Sequence, residues 1–488
     1  MPDYLKLKDQ YDWMQRQVFG SKSERIVLTP DEQQSLFSAG DIQNTGGFEV
    51  MEKLLLDPGN RVKTHLRTTT PAGHGKGALP ESLPRVDIHV PLTDAQLAEV
   101  KNNSLILVRE EFTERLAIYP QSFYVKRFIR PIYSFQDAEG QRHIVTTKVQ
   151  EMAVEKGRAD LSILIYLSVS KFVDHLPLDR IRKIFLRMGM KLSISTLCDF
   201  VESFHDILLP VYLAMADEVK KCNLIHTDDT VVRVVRKDKL KKTHKGRMWV
   251  YIGGEHCVYV YTPTRAGANP SEFLKGFKGH LQADGYAGYN RTANREDVVR
   301  VGCHAHARRY FENALEQFPE ALEMIKWYQE LFQIERRMTD TSMPDEARKK
   351  ERRLYSEPIM KKMKTGLDEK AVTQMLPKSL IYKAVFYALG QWESLVQFLE
   401  DGKIPLSNNI SERAMRGVVM GRKNYLFFGS EEAAQRGAVF YSVLHSCVCL
   451  GMSPEEYLQD IIPRLGTVSA KDILQLTPVG WLAAKTVI

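Results

Sequence analysis

The stretch from residue 222 to 305 constrains the fold most, because it sets strand-like runs one after another with little between them. NLIHTDDTVVRVV, RMWVYIGG and CVYVYTPT are rich in β-branched and aromatic residues, which suit a pleated surface. A helical segment, NPSEFLKGF, follows, and then two more strand-like runs, HLQADGY and DVVRVGC. The order β-β-β-α-β-β predicts an α/β fold built on a mixed β-sheet with flanking helices. Two acidic residues fall on these runs, Asp228 on the first strand and Asp284 on the fourth. A third, Glu412, lies far downstream in the helical run NNISERAMRGVV.

That plan is the one expected of an RNase H-like core, in which the last acid arrives on a later helix. Two divalent cations held roughly 3.5–4 Å apart need hard oxygen ligands from several chain segments, one of them able to bridge. Asp228, Asp284 and Glu412 are therefore the candidate catalytic and metal-binding residues. Each has a plainer reading as well. Asp228 and Asp229 are adjacent, so on a strand they face opposite ways and only one can reach a shared metal. Asp284 is followed by Gly285, which by itself reads as a turn. Glu412 and Arg416 stand four apart on one helix, where an ion pair is worth about 0.2–0.5 kcal/mol.

The remaining chain divides by pattern. Residues 1–57 carry a loose helical stripe fitting a short amphipathic or coiled-coil helix, and residues 58–84 are Pro, Gly, Thr and basic, a flexible linker. Residues 85–150 alternate in short β-like runs and predict a small β-rich module. From 151 to 220 the period becomes helical, and two short helices joined at Met188-Gly189-Met190 look like a helix-turn-helix. Its second helix offers Lys191 and Ser195 as DNA contacts, with Ser193 or Ser195 as its cap. The core occupies 221–312, an all-α insertion 313–400, the core's last part with Glu412 401–450, and a C-terminal element 451–488.

Lys and Arg total 68 against 60 Asp and Glu, a net charge of +8 concentrated in runs such as RVKTHLR, RKDKLKKTHKGR and ARKKERR. Runs of this kind follow a phosphate backbone or form a solvated face. Around the third acid, Arg413, Arg416, Arg422 and Lys423 share a helix with Glu412, while Arg308 and Arg309 open the helix after the fifth strand. The planar guanidinium suits phosphate, and these six are the expected cleft cations. All six cysteines lie beyond residue 197 and none forms a CxxC pair, so reduced thiols in the cytoplasm are expected. The N-terminus has no apolar signal-like core, and no apolar run approaches the ~18 residues of a membrane span.

Four spaced blocks carry a resemblance: Asp228 to Thr230, LQADGYAGY at Leu281 to Tyr289, GCHAHARRYF at Gly302 to Phe311, and NNISERAMRGVVMGRKNYLFFGS at Asn408 to Ser430. FGSKSER near the N-terminus, DHLPLDR before the helix pair and the tail GMSPEEYLQDIIPRL extend it. The chain resembles the large transposases of the insertion-sequence-66 family. The resemblance implies a DDE-type DNA transposase of a bacterial insertion sequence, with Asp228, Asp284 and Glu412 as its triad and two Mg²⁺ or Mn²⁺ ions as cofactors. It also implies element ends and target DNA as partners, assembly as a homo-oligomer on paired ends, and small accessory proteins encoded beside it. There are two departures. The family's four-cysteine zinc module has no counterpart, since residues 85–150 contain no cysteine, and no zinc is expected. Where the family favours Asp before the two asparagines, this chain has Ser407, which puts helix capping or a substrate contact in question. The alternatives are a catalytically silent DNA-binding derivative and a nuclease of the same core that cuts without joining.

Overall fold

The computed structural model describes residues 123–125, 132–136, 142–146, 159–236, 242–373, 375–469 and 471–486. The N-terminal helix, the linker, most of the 85–150 module and the centre of RKDKLKKTHKGR lie outside the described residues. All described elements belong to one unit, Pro120–Ile488. Its first element is a two-stranded antiparallel ladder of β1 (Ile132–Gln136) and β2 (Arg142–Thr146), registered Ile132 to Thr146.

Three helices precede the main sheet. In α1 (Leu161–Phe172) the Asp160 side chain accepts from the Ser162 amide and so caps the first turn. α2 (Leu178–Arg187) buries Ile181 and Phe185. α3 (Ile194–Lys221) begins at Ser193, whose hydroxyl accepts from the Thr196 amide at 3.0 Å, so Ser193 and not Ser195 is the cap. The expected pair of short helices is one short and one long, because α3 runs for 28 residues. Leu197, Val201, Phe204, Leu208, Val211, Met215 and Val219 continue its buried stripe at three- and four-residue spacing, well past a recognition helix's usual end. Gly189, at φ 87°, makes the bend between α2 and α3 that a side chain would resist.

β3 (Leu224–Val235), β4 (Thr243–Gly253) and β5 (His256–Thr262) form an antiparallel meander. After the short α4 (Ala268–Phe273), β6 (Gly279–Gln282) pairs parallel to β3. α5 (Asn290–Ala293) then leads to β7 (Val298–Val301), parallel to β6. The sheet order is β5-β4-β3-β6-β7. Successive residues Met248, Trp249, Val250 and Tyr251 of β4 are all buried, so both faces of the sheet are covered there.

Between β7 and the Glu412 helix the chain is helical: α6 (His304–Ala314), α7 (Ala321–Asp340), α8 (Asp345–Glu351), α9 (Glu357–Val372), α10 (Leu380–Gly390) and α11 (Trp392–Leu395). These helices share a core of their own around Phe311, Tyr328, Leu331, Met363 and Val385. Buried Arg352 braces it, donating to Glu335 at 2.7 Å and to the Phe398 and Asp401 carbonyls at 2.7 and 2.8 Å. A buried guanidinium is tolerable only with its donors so matched. α12 (Asn409–Tyr425) then returns to β3 and β4, and α13 (Glu431–Cys449) lies against β5 and α3. Phe172 of α1 stacks on Phe440 of α13 at 4.6 Å, and α14 (Pro454–Leu465) packs on α1, with α15 (Pro478–Thr486) last. No helix among the described residues is long and apolar enough to cross a membrane.

Candidate active site

The parallel pairing of β3 with β6 ends at His226 opposite Gln282. Asp228 and Asp284 each stand two residues further on, Asp228 still on β3 and Asp284 in the turn after β6, close enough for the Asp284 charge to act on Asp228. Asp284 is not on a strand, as the sequence had implied, because β6 stops at Gln282. Its Oδ1 accepts from the Tyr286 amide at 3.0 Å, the local turn that Asp-Gly favours, while Oδ2 faces Arg265 Nη2 at 3.9 Å. One oxygen thus makes the turn that Asp-Gly favours, while the other stays outside that turn and faces Arg265.

Glu412 enters from the first turn of α12, where a carboxylate is favoured by the helix dipole. Its ion-pair partners are His306 at 3.5 Å and Arg309 at 3.4 Å, both on α6, and not Arg416 on its own helix. Glu412 Oε1 is buried and has no hydrogen-bond partner. The helix start itself is held by Asn408, whose amide group donates to the Thr227 carbonyl of β3 at 2.8 Å and whose N–H donates to Cys303 Sγ. Since Asn408 and not residue 407 occupies the cap position, Ser407 does not leave the helix without a cap it would otherwise have. Cys303 and His304 have structural duties, the imidazole of His304 meeting the Leu395 carbonyl at 2.8 Å.

Electrostatics tie the three acids together. Burial pushes the Asp228 carboxyl up to about 7; the Asp229 N–H, next in weight, lowers it, and the Asp284, Asp229 and Glu412 carboxylates each add a lesser raise. Asp229 points the other way, with its side chain 1% exposed between Arg247 at 2.9 Å and Arg265 at 2.7 Å. Arg265 is further fixed over the Tyr286 ring at 3.8 Å. Asp229 therefore positions the arginine that faces Asp284. The Asp284 turn is buttressed from the helical region, where the Tyr387 hydroxyl accepts from the Gly285 N–H at 3.1 Å, and from β7, where Arg300 donates to the Asp284 carbonyl. Arg265, Arg300 and Tyr387 escaped the sequence reading, because nothing in their local patterns links them to acids distant in the chain.

The expected DNA contacts separate into groups. Arg413, Arg416 and Lys423 are exposed along α12, and Arg309 is exposed beside Glu412. Arg308 pairs with Glu312 at 2.8 Å and lies over Phe332. Arg422 donates to the Thr230 hydroxyl at 2.7 Å and to the Val231 carbonyl, tying α12 to β3. Lys191 and Ser195 are exposed at the start of α3, away in sequence from the acids.

Three carboxylates, one with a buried oxygen that accepts no hydrogen bond and one destabilised as an anion, are a donor set that fits hard divalent cations. Among the described residues, no three His, Cys, Asp or Glu side chains are gathered tightly enough to hold an ion as they stand.

Comparison with known proteins follows the same lines. Uncharacterized protein y4jD of Sinorhizobium fredii is 29% identical over 499 residues, covering 98% of this chain and 95% of that protein. Uncharacterized protein y4hP of the same organism is 32% identical over 403 residues, covering 77% of this chain and 71% of the relative. A family model described as "Transposase C of IS166 homeodomain" matches residues 6–88. Residues 156–436 match the model described as "Transposase IS66 family", which puts the sheet, the helical region and all three acids within a transposase. That match takes in more than half of the chain, and the chain belongs to the IS66 transposase family.

Proposed function

We propose that this protein is a DDE-type DNA transposase with an RNase H-like core, using Asp228, Asp284 and Glu412 to cut element ends and join them to target DNA. The observation that carries this reading is the meeting of three acids from β3, the β6 turn and α12, where Asp228 is pushed up to about 7 by burial and by its fellow carboxylates. Such crowding of like charges raises the free energy of the empty site and is relieved by cations. The sheet order, with an antiparallel meander continued by two parallel strands, supports the RNase H-like description. Bound there, two Mg²⁺ or Mn²⁺ ions would supply an acidified water and stabilise the entering and leaving oxygens of an in-line displacement.

The protein's own groups do the holding. Arg309 and His306 keep the Glu412 carboxylate turned toward the other acids, and Arg265, anchored by Asp229, steadies Asp284. Exposed Arg413, Arg416 and Lys423 offer phosphate contacts along α12, and Lys191 and Ser195 offer base contacts at the start of α3. In the first step water attacks the phosphorus and the bond to the 3′ oxygen breaks, leaving a free 3′-OH. In the second, that oxygen attacks a target phosphorus and displaces the target's own 3′ oxygen. Neither step requires a covalent bond to the protein. Assembly on paired ends and help from accessory proteins belong to the same proposal.

The test is a cleavage and strand-transfer assay on duplexes cut from the DNA that flanks this coding sequence. Asp228→Ala and Glu412→Ala should abolish both steps while leaving binding nearly unchanged, and Asp229→Ala should reduce them more mildly. Substantial cleavage by either of the first two variants would sink the assignment, and cleavage without joining by the wild type would reduce the protein to a nuclease.

A further inference from the structure

α12 ends in an unusual way. Leu426 has φ 66° and ψ −40°, and the Phe427 N–H donates back to the Tyr425 carbonyl at 2.8 Å. This is a γ-turn of the positive-φ kind, rare and strained for a residue with a side chain. Rigid contacts hold it on both sides. The Leu426 N–H bonds the Arg422 carbonyl at 3.0 Å, and buried Phe428 pairs with β3 through Arg233 and Val235 at 2.8 and 3.0 Å. The turn so fixed puts two large apolar side chains into solvent, Leu426 at 63% and Phe427 at 48% exposure. The segment thus combines a strained backbone with two adjacent apolar side chains left in water.

The surface beside the turn is cationic in a way that also costs stability. Arg233 and Lys245 are directly opposite one another across β3 and β4, and both are exposed. Like charges in that position repel. Neither has an ion pair to another described residue, and exposed Lys423 lies on the last turn of α12. Glu431 nearby is engaged by His244 at 3.7 Å. A polyanion resolves the repulsion, and a stack of bases receives the apolar tip.

We propose that Leu426 and Phe427 form a wedge that enters a base step of bound duplex DNA, with Arg233, Lys245 and Lys423 on the adjoining phosphates. This rests on the transposase reading above. Apolar wedges of this kind unstack a step and kink the duplex, which lets more protein surface meet the DNA. Phe428 bridges Val234, six residues along β3 from Asp228. At roughly 3.3 Å per residue that is about 20 Å. The distorted step therefore falls within about six base pairs of the cleaved phosphate, at ~3.4 Å per step.

The full-length protein, without divalent metal, is titrated onto duplexes from the flanking DNA carrying 2-aminopurine at successive positions. Wild type should raise the fluorescence at one step within that distance. Phe427→Ala should bind and melt as wild type does and lose the rise, while Phe427→Trp should keep it. Arg233→Ala with Lys245→Ala should lower the slope of log affinity against log salt by about 2 and keep the rise at saturation. A rise that persists in Phe427→Ala, or a wild-type complex with no rise at any position, overturns the wedge and leaves the transposase reading standing. Failure of wild type to bind any flanking duplex overturns both.

Discussion

At the scale of single residues, the site is organised by which way neighbouring carboxylates point. Asp228 and Asp229 have the same side chain and adjacent places on β3, yet one faces its fellow acids and the other is sealed between two arginines. Alternation along a strand was legible in TDDT, as was the consequence that only one of the pair can face the other acids. That the second orients Arg265 was not, because Arg265 lies 36 residues away. The charge on Asp228 has a consequence for stability. Its carboxyl is raised in the folded protein from 3.8 to about 7, so the unfolded chain gives up this proton first and stability falls as pH rises across that window. Asp228→Asn removes the charge. At neutral pH and without divalent metal it should stabilise the protein by on the order of 2 kcal/mol while abolishing activity, a trade seen directly in paired melting and cleavage measurements. A lower melting temperature for the variant would show that Asp228 is not held under electrostatic stress.

At the scale of elements, α12 sets the position of Glu412 by how closely it can approach α13. Gly417 and Gly421 are four residues apart, and they face His445 and Tyr441, also four apart on α13. A Cβ at Gly417 would overlap the His445 ring, and one at Gly421 the Tyr441 hydroxyl. The Tyr441 hydroxyl already meets that of Tyr425 at 2.8 Å, so it has little room to yield. Gly421→Ala should therefore cost about 1–3 kcal/mol despite the better helix propensity of alanine, and should lower cleavage by moving α12. Chemical denaturation together with the cleavage assay checks this, and a variant as stable and active as wild type would remove the close approach from the explanation. The spacing was visible in MRGVVMGRK, but only the partner helix gives it meaning. The length of α3 was open to reading too: its stripe continues to Val219, whereas attention to a turn at Gly189 had cut the helix short.

At the scale of the whole molecule, each of the two cores holds a buried imidazole that must stay uncharged. His304 ties α6 to the Leu395 carbonyl, and His445 of α13 bonds the Tyr259 hydroxyl at 3.1 Å beneath the sheet. Burial lowers both from 6.5 to about 4. The unfolded chain thus takes up protons below pH 6.5 that the folded protein refuses, and the stability present above that value is lost as pH falls toward 4. Each ring contributes up to about 3 kcal/mol at the limit. His304→Gln, which keeps a donor for Leu395, should flatten the dependence of melting temperature on pH between 6.5 and 4. An unchanged slope would mean that His304 is protonated in the folded state.

What the sequence determined by itself was the local and the repetitive: strand and helix order, the outward and inward alternation of the acids on β3, a serine cap on α3 narrowed to Ser193 or Ser195, and blocks specific enough to mark the family. These depend on backbone preference and side-chain period, which act over a few residues. What only the tertiary structure decided was convergence. The register of β3 on β6 sets Asp228 beside Asp284, Asn408 docks α12 on β3 across 181 residues, and Arg309 and His306 meet Glu412 across a helical region with its own core. Each of these joins groups far apart in the chain, and such contacts are selected by packing and charge in three dimensions, which no local pattern records.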